Sequence, residues 1–231
     1  MSRPSLLAPV CLASLALTAL PVTAAAQETA GGMGAMTSAL GPYSMTREAS
    51  GTSWQPDASE PMGDHAMHGA WMSMSHATLN LVYDDQGGPR GDAMTFVSGM
   101  VMAMAQGPWA GGVLGFHAML SPDPQIGKKG YPLLLQTGET ADGTTQLVDR
   151  QHPHDLFMEL SASYSRPIGQ GASAFVYAGL PGEPAYGPPA FMHRQSGMDS
   201  PEAPISHHWL DSTHVTFGVV TAGYSDGPWK I

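Results

Sequence analysis

Cysteine is almost missing from this chain: of 231 residues only Cys11 carries a thiol. It lies inside an apolar N-terminal stretch, not at a cleavage point, which argues against a lipoprotein signal. Charge is scarce too. Asp, Glu, Lys and Arg make up 12% of the chain, where about a quarter is usual for a soluble domain. The charge present is mostly acidic, with a formal net of −10. No basic patch remains to hold a phosphate backbone, so nucleic-acid binding is set aside. Beyond the N-terminal stretch there is no apolar run long enough for a membrane helix. Gly-x-Ser-x-Gly, His-Glu-x-x-His and Gly-rich phosphate-loop patterns are all missing, so the chain is read as non-enzymatic. Without a cysteine ligand, blue-copper and multicopper oxidase sites of the familiar kind are excluded.

What the chain does hold begins with an export signal expected over residues 1–26. Arg3 supplies the positive start, Leu6 to Leu20 the apolar stretch, and Ala24, Ala25 and Ala26 a small-residue cleavage site before Gln27. Its removal would leave a mature chain with no cysteine, hence neither disulfides nor thiolate metal sites. Residues 27–69 are rich in Gly, Ser, Thr, Pro and Met without a persistent period, and read as a flexible leader. From Trp71 the character changes to alternation with a period of two. Strands are expected over 71–83, 94–105, 113–120, 156–165, 173–180 and 213–224, with a further one starting at Trp229. In the first, Leu79, Leu81 and Tyr83 oppose His76, Thr78 and Asn80. In the fourth, Leu156, Met158, Leu160, Ala162 and Tyr164 oppose Glu159, Ser161, Ser163 and Ser165.

Apolar on one face and small polar on the other is the dyad of a transmembrane barrel. The expected fold is therefore all-β, an antiparallel up-and-down transmembrane β-barrel in the outer membrane, in contact with its lipid. Alternating strand directions put the long connections near 121–155 and 181–212 at one rim and the short turns at the other. Six strands and a stub are too few to close, so a partial, truncated barrel over residues 70–231 is expected.

Metal-ligating residues are plentiful: the chain has 16 methionines and ten histidines. Thioether with imidazole favours copper, methionine selecting Cu(I) and histidine also accepting Cu(II). In the leader, Met62, His65, Met67 and His68 are candidate ligands, against a plain unstructured reading. At the long-connection rim, His152 and His154 flank Pro153 with Asp155 next. His207, His208, Asp211 and His214 form a second group, with His193 nearby. The competing reading has these histidines bracing loops through hydrogen bonds, with Arg150 and Arg194 pairing to Asp155, Asp199 or Glu202. The stripe Met94, Met100, Met102 and Met104 reads first as packing surface. A hairpin between Gln106 and Gly112 with an even-numbered loop would set Met100 opposite His117 on the inner face.

Residues 149–160, Asp-Arg-Gln-His-Pro-His-Asp-Leu-Phe-Met-Glu-Leu, resemble an uncharacterised family of proteobacterial outer-membrane proteins often found beside copper or heavy-metal resistance genes. So does the segment 187–223, with its Phe-Met-His-Arg and Ser-His-His-Trp-Leu-Asp-Ser-Thr-His runs. The resemblance spans about residues 70–231 and implies an outer-membrane barrel tied to copper tolerance. It implies no activity and no assigned ligands. Family members continue past the Gly-Pro-Trp-Lys turn. Two other functions stay open: a structural or pore-forming barrel without a metal role, and a soluble periplasmic β-sandwich that binds metal.

Overall fold

A computed structural model describes residues 36–49, 54–56, 59, 63–183, 189–204, 207, 216–227 and 229–231. All lie in the compact unit that covers residues 35–231. The export signal expected at 1–26 falls outside the described residues, as do Met62, His208, Asp211 and His214. The elements defined are three short 3-10 turns and ten strands: β1 (Asp64–His68), β2 (Trp71–Asp85), β3 (Ala93–Trp109), β4 (Gly112–Leu120), β5 (Tyr131–Thr140), β6 (Gln146–Gln151), β7 (Phe157–Pro167), β8 (Ala172–Gly182), β9 (Thr216–Asp226) and β10 (Trp229–Lys230). Among the described residues no helix is long and apolar enough to cross a membrane.

The protein is all-β and every pairing is antiparallel. Eight strands form one sheet in the order β1-β2-β3-β4-β7-β8-β9-β10, and β5 with β6 form a separate hairpin. The sheet is open among the described residues, with β1 and β10 as its two edges, and no closed barrel is formed. Two-residue turns are what make neighbours antiparallel and adjacent. Ala110 (φ 46°) and Gly111 (φ 78°) join β3 to β4 with both central residues left-handed, the geometry that matches strand twist. The connections of 86–92, 121–156 and 183–215 all leave one end of the sheet, and the short turns lie at the other.

Three strands lie where none was expected. β1 falls inside the segment read as a flexible leader, and residues 36–49 are also folded, with Thr37 bridging Ser44. The 36–49 segment docks on the sheet's inner face at the short-turn end, where Gly41 sits so close to Ser173 and Ser225 that a Cβ has no room. The β5–β6 hairpin escaped the period-two signal because its pairing is irregular, with register shifts between Pro132, Thr137 and Thr140. Leu135 (φ 73°) and Asp149 (φ 53°) adopt left-handed backbone there. Asp149 holds that kink by accepting from Arg90 Nε and Nη2 (2.8 and 2.7 Å) and from the Leu135 amide (2.9 Å).

The outer face of the sheet is apolar and exposed, while its inner face is mixed, with polar side chains buried among two apolar groups. Its inner face carries Ser98, Glu159, Ser161, Ser163, Ser165, Ser173 and Ser225, all buried, while Leu79, Leu81 and Val220 on the outer face are 74%, 80% and 78% exposed. Val101, Phe116, Leu160, Val176, Leu180 and Phe217 are exposed beside them. Each such side chain left in water forgoes about 1.5–3 kcal/mol. Trp109 and Trp229 are exposed at the short-turn end. β7, β8 and β9 are each 11 residues long, the length of a tilted membrane-crossing strand.

One strand departs from strict alternation. A β-bulge opposite Met119 and Leu120 pairs these residues with Glu159 and Phe157, leaving Met158 between them. Two consecutive residues then face inward. Met158, expected on the lipid face, is instead 1% exposed and packs with Met100 and Met119. A second apolar group of Val82, Phe96 and Tyr131 lies nearer the long connections. There the Tyr131 ring stacks on Phe96 at 4.5 Å and seats the β5–β6 hairpin on the sheet.

Candidate functional site

At the long-connection end, His152 and His154 do come together, with ring centroids 5.7 Å apart. Their carboxylate partners are not the neighbouring Asp155, which is exposed. His152 Nε2 lies 2.9 Å from Glu139 Oε2 on β5, and its Nδ1 lies 3.0 Å from the Pro153 carbonyl oxygen. The His154 amide donates to Asp123 Oδ2 at 3.1 Å, and His154 Nδ1 lies 2.9 Å from the same oxygen. Asp123 is buried and 31 positions away, so no local spacing could have pointed to it. Burial works to raise the Asp123 pKa, but the His154 hydrogen bonds and charge outweigh it and hold the carboxyl below its ordinary value. Burial likewise pulls His152 down, and Glu139 more than offsets this to leave it raised.

The expected arginine pairs are redrawn as well. Arg150 binds Asp92 Oδ2 at 2.8 Å and donates to the Lys129 and Gly130 carbonyls, and Arg194 Nε donates to the Pro189 carbonyl. Both long connections meet over the inner face of the sheet. A cavity of about 50 Å³ is lined by Thr78, Asn80, Ser98 and Met100 from the sheet, by Asp123, Tyr131 and His154 from the first connection, and by Phe191, Met192 and Met198 from the second. His207 is buried with its ring edge-on to Phe191 at 5.2 Å. One member of the second histidine group therefore sits against the wall that His154 also lines. His208 and His214 lie outside the described residues.

The leader candidates occupy the opposite end of the sheet. His65, Met67 and His68 are exposed on β1, opposite Met74, Met72 and Trp71 of β2, and His68 Nε2 lies 3.2 Å from Ser73 Oγ. They are separated from the rim histidines by the length of the strands, so the two groups cannot share an ion.

A third constellation lies between them on the inner face, and most of it had not been singled out as a site. Strand register sets His65, Met74, Met104 and His117 in one row across β1, β2, β3 and β4. The adjacent row runs His76, Met102, Met119 and Glu159. His117 therefore faces Met104, not Met100: β3 continues to Trp109 and the hairpin loop is only Ala110 and Gly111, which moves the partner four positions. His117 Nδ1 lies 3.7 Å from Glu159 Oε1. That carboxylate also accepts from Ser161 Oγ (2.6 Å) and Tyr177 OH (2.8 Å). His193, from the second long connection, comes within electrostatic reach of Glu159, His76 and His117. Burial pulls its pKa down to about 4; the two imidazoles add to this and Glu159 opposes it. Among the described residues, His117 Nε2 and His76 Nδ1 are buried without a hydrogen-bond partner.

Among the described residues no three His, Asp or Glu side chains converge as a ready coordination shell. The thioethers are the remaining donors, and they sit beside the imidazoles. No family model, curated protein or solved structure matches this chain.

Proposed function

We propose that this chain is a non-enzymatic membrane-wall protein of the outer-membrane β-barrel type that binds copper or a related transition metal in metal tolerance. The observation that carries the reading is the outer face of the sheet, a band of large exposed apolar side chains on strands whose inner face buries hydroxyls and Glu159 among methionines. In water that arrangement forgoes hydrophobic stabilisation along every strand, whereas in lipid the outer face is solvated, and the edge strands β1 and β10 would need pairing partners to complete the wall. The exposed tryptophans at the short-turn end fit an interfacial belt. The metal part rests on the density of imidazole and thioether groups, and on the two motifs that resemble proteins of copper-resistance loci. His152, His154, His207, His208 and His214 would serve at the outer rim, and His65, Met67 and His68 at the far end.

The reading is tested by mixing the full chain, refolded from urea, with lipid vesicles and floating it on a density gradient. Co-flotation resistant to high salt and carbonate is expected. Recovery as a dissolved monomer without lipid would overturn it in favour of a soluble β-sandwich. A second reading, of a structural barrel braced by its histidines, is favoured by the His152–Glu139 and His154–Asp123 pairs. Copper titration of a variant with the rim histidines changed to alanine separates the two, since a bracing role predicts unchanged affinity.

A further inference from the structure

We propose that the inner face of the sheet binds Cu(I) at two side-by-side thioether–imidazole pairs, Met104 with His117 and Met102 with His76. The proposal deepens the metal reading above and rests on it for the ion's biological use, but the site is defined by strand register alone. Met104 is directly opposite His117 across β3 and β4, and Met102 directly opposite His76 across β2 and β3. Such pairs have Cβ atoms about 4.5–5.5 Å apart, a gap that one ion can bridge between a sulfur and a ring nitrogen. Met119 stands opposite Met102 on the other side and supplies a further thioether.

Three features point to an ion and away from plain packing. First, His117 Nε2 and His76 Nδ1 are buried without hydrogen-bond partners, and a buried polar atom left unpaired is costly. Leucine would fill the methionine positions of this sheet without asking for such neighbours. Second, the other ring nitrogen of His117, Nδ1, lies 3.7 Å from Glu159. A carboxylate thus stands behind the imidazole, within ion-pair range but beyond a hydrogen bond, on the side a second-shell partner of a ligating histidine would occupy. Third, the donors that the register places together are thioether sulfur and imidazole nitrogen. A soft monovalent ion, content with few ligands, is the chemistry that suits them. Hard ions such as Mg²⁺ and Ca²⁺ need an oxygen cage, and Zn²⁺ takes its sulfur from thiolate.

The test is direct titration of the full chain in detergent or lipid with Cu(I), held reduced and buffered by a chromophoric chelator, and with Ag(I) as a redox-inert probe. Met102→Leu/Met104→Leu keeps volume and apolar character, so folding is retained and is checked by circular dichroism. This double variant is expected to lose at least about tenfold in Cu(I) and Ag(I) affinity. Leu79→Ala, on the exposed outer face away from both rows, is expected to leave that affinity unchanged. X-ray absorption of the Cu(I)-loaded protein should show sulfur in the first coordination shell, lost in the leucine variant. Unchanged affinity in the folded leucine variant, or a shell of nitrogen and oxygen only, would overturn the inner-face site. Failure of the vesicle flotation with the sulfur signal intact would instead overturn the membrane reading and leave this site standing.

Discussion

Acidification should destabilise the fold through His193, and the size of the effect can be worked from its surroundings. The imidazole is carried by the second long connection into a place where burial pulls its pKa from 6.5 to about 4. The nearby His76 and His117 reinforce this, and Glu159 counteracts it. The unfolded chain, with a free imidazole, takes up a proton near pH 6.5 while the folded chain does not. Folding stability attributable to His193 is therefore full above pH 6.5 and declines as pH falls below it. The loss levels off under about pH 4, where the folded form also protonates. At pH 5 the cost is at most about 2 kcal/mol, and it approaches about 3 kcal/mol at the acid limit. His193→Gln keeps a polar side chain of similar reach but cannot take the charge. Urea unfolding in detergent micelles, followed by tryptophan fluorescence at about pH 7.5 and pH 5, should show the wild type losing about 2 kcal/mol more than the variant. Shifts from Asp123, His152 and the other carboxylates are common to both proteins and cancel in that difference. Parallel stability curves for the two would refute a half-buried His193 held neutral in the fold.

Three more outcomes follow from the same geometry. Val220→Arg, at the middle of the outer face of β9, should reduce assembly into lipid vesicles by about 2–4 kcal/mol, while in a soluble sandwich an exposed substitution of this kind changes stability by under about 0.5 kcal/mol. Met119→Ala should cost about 2–5 kcal/mol in unfolding assays, since Met119 is 1% exposed among Met100 and Met158. The Glu139–His152 pair should stabilise the β5–β6 hairpin fully below the ordinary histidine pKa and release it as pH rises through the raised His152 pKa. Hydrogen-exchange protection of that hairpin, taken relative to the intrinsic rate at each pH, should fall over this interval in the wild type and stay constant in Glu139→Gln.

The period-two alternation of residues 71–83 and 156–165 establishes strands and, Met158 excepted, says which side chains share a face. Leu79, Leu81 and Tyr83 are all exposed and outward. Strand parity, read from connection lengths alone, also put both histidine-bearing connections at one end. These features are local: successive side chains on an extended backbone must point to opposite sides, whatever the rest of the chain does. The apolar outer face is therefore a property of the sequence. Register was not legible in the same way. It depends on where a hairpin turns, and the two-residue Ala110-Gly111 loop moved the partner of His117 from Met100 to Met104. A bulge, which no periodic pattern announces, carried Met158 inside. The partners of His152 and His154 came from Glu139 and Asp123, and His193 was brought beside Glu159 by a long connection. Pairings between segments far apart in the chain are decided by packing and by the need to satisfy buried charge, and only the tertiary structure holds that information.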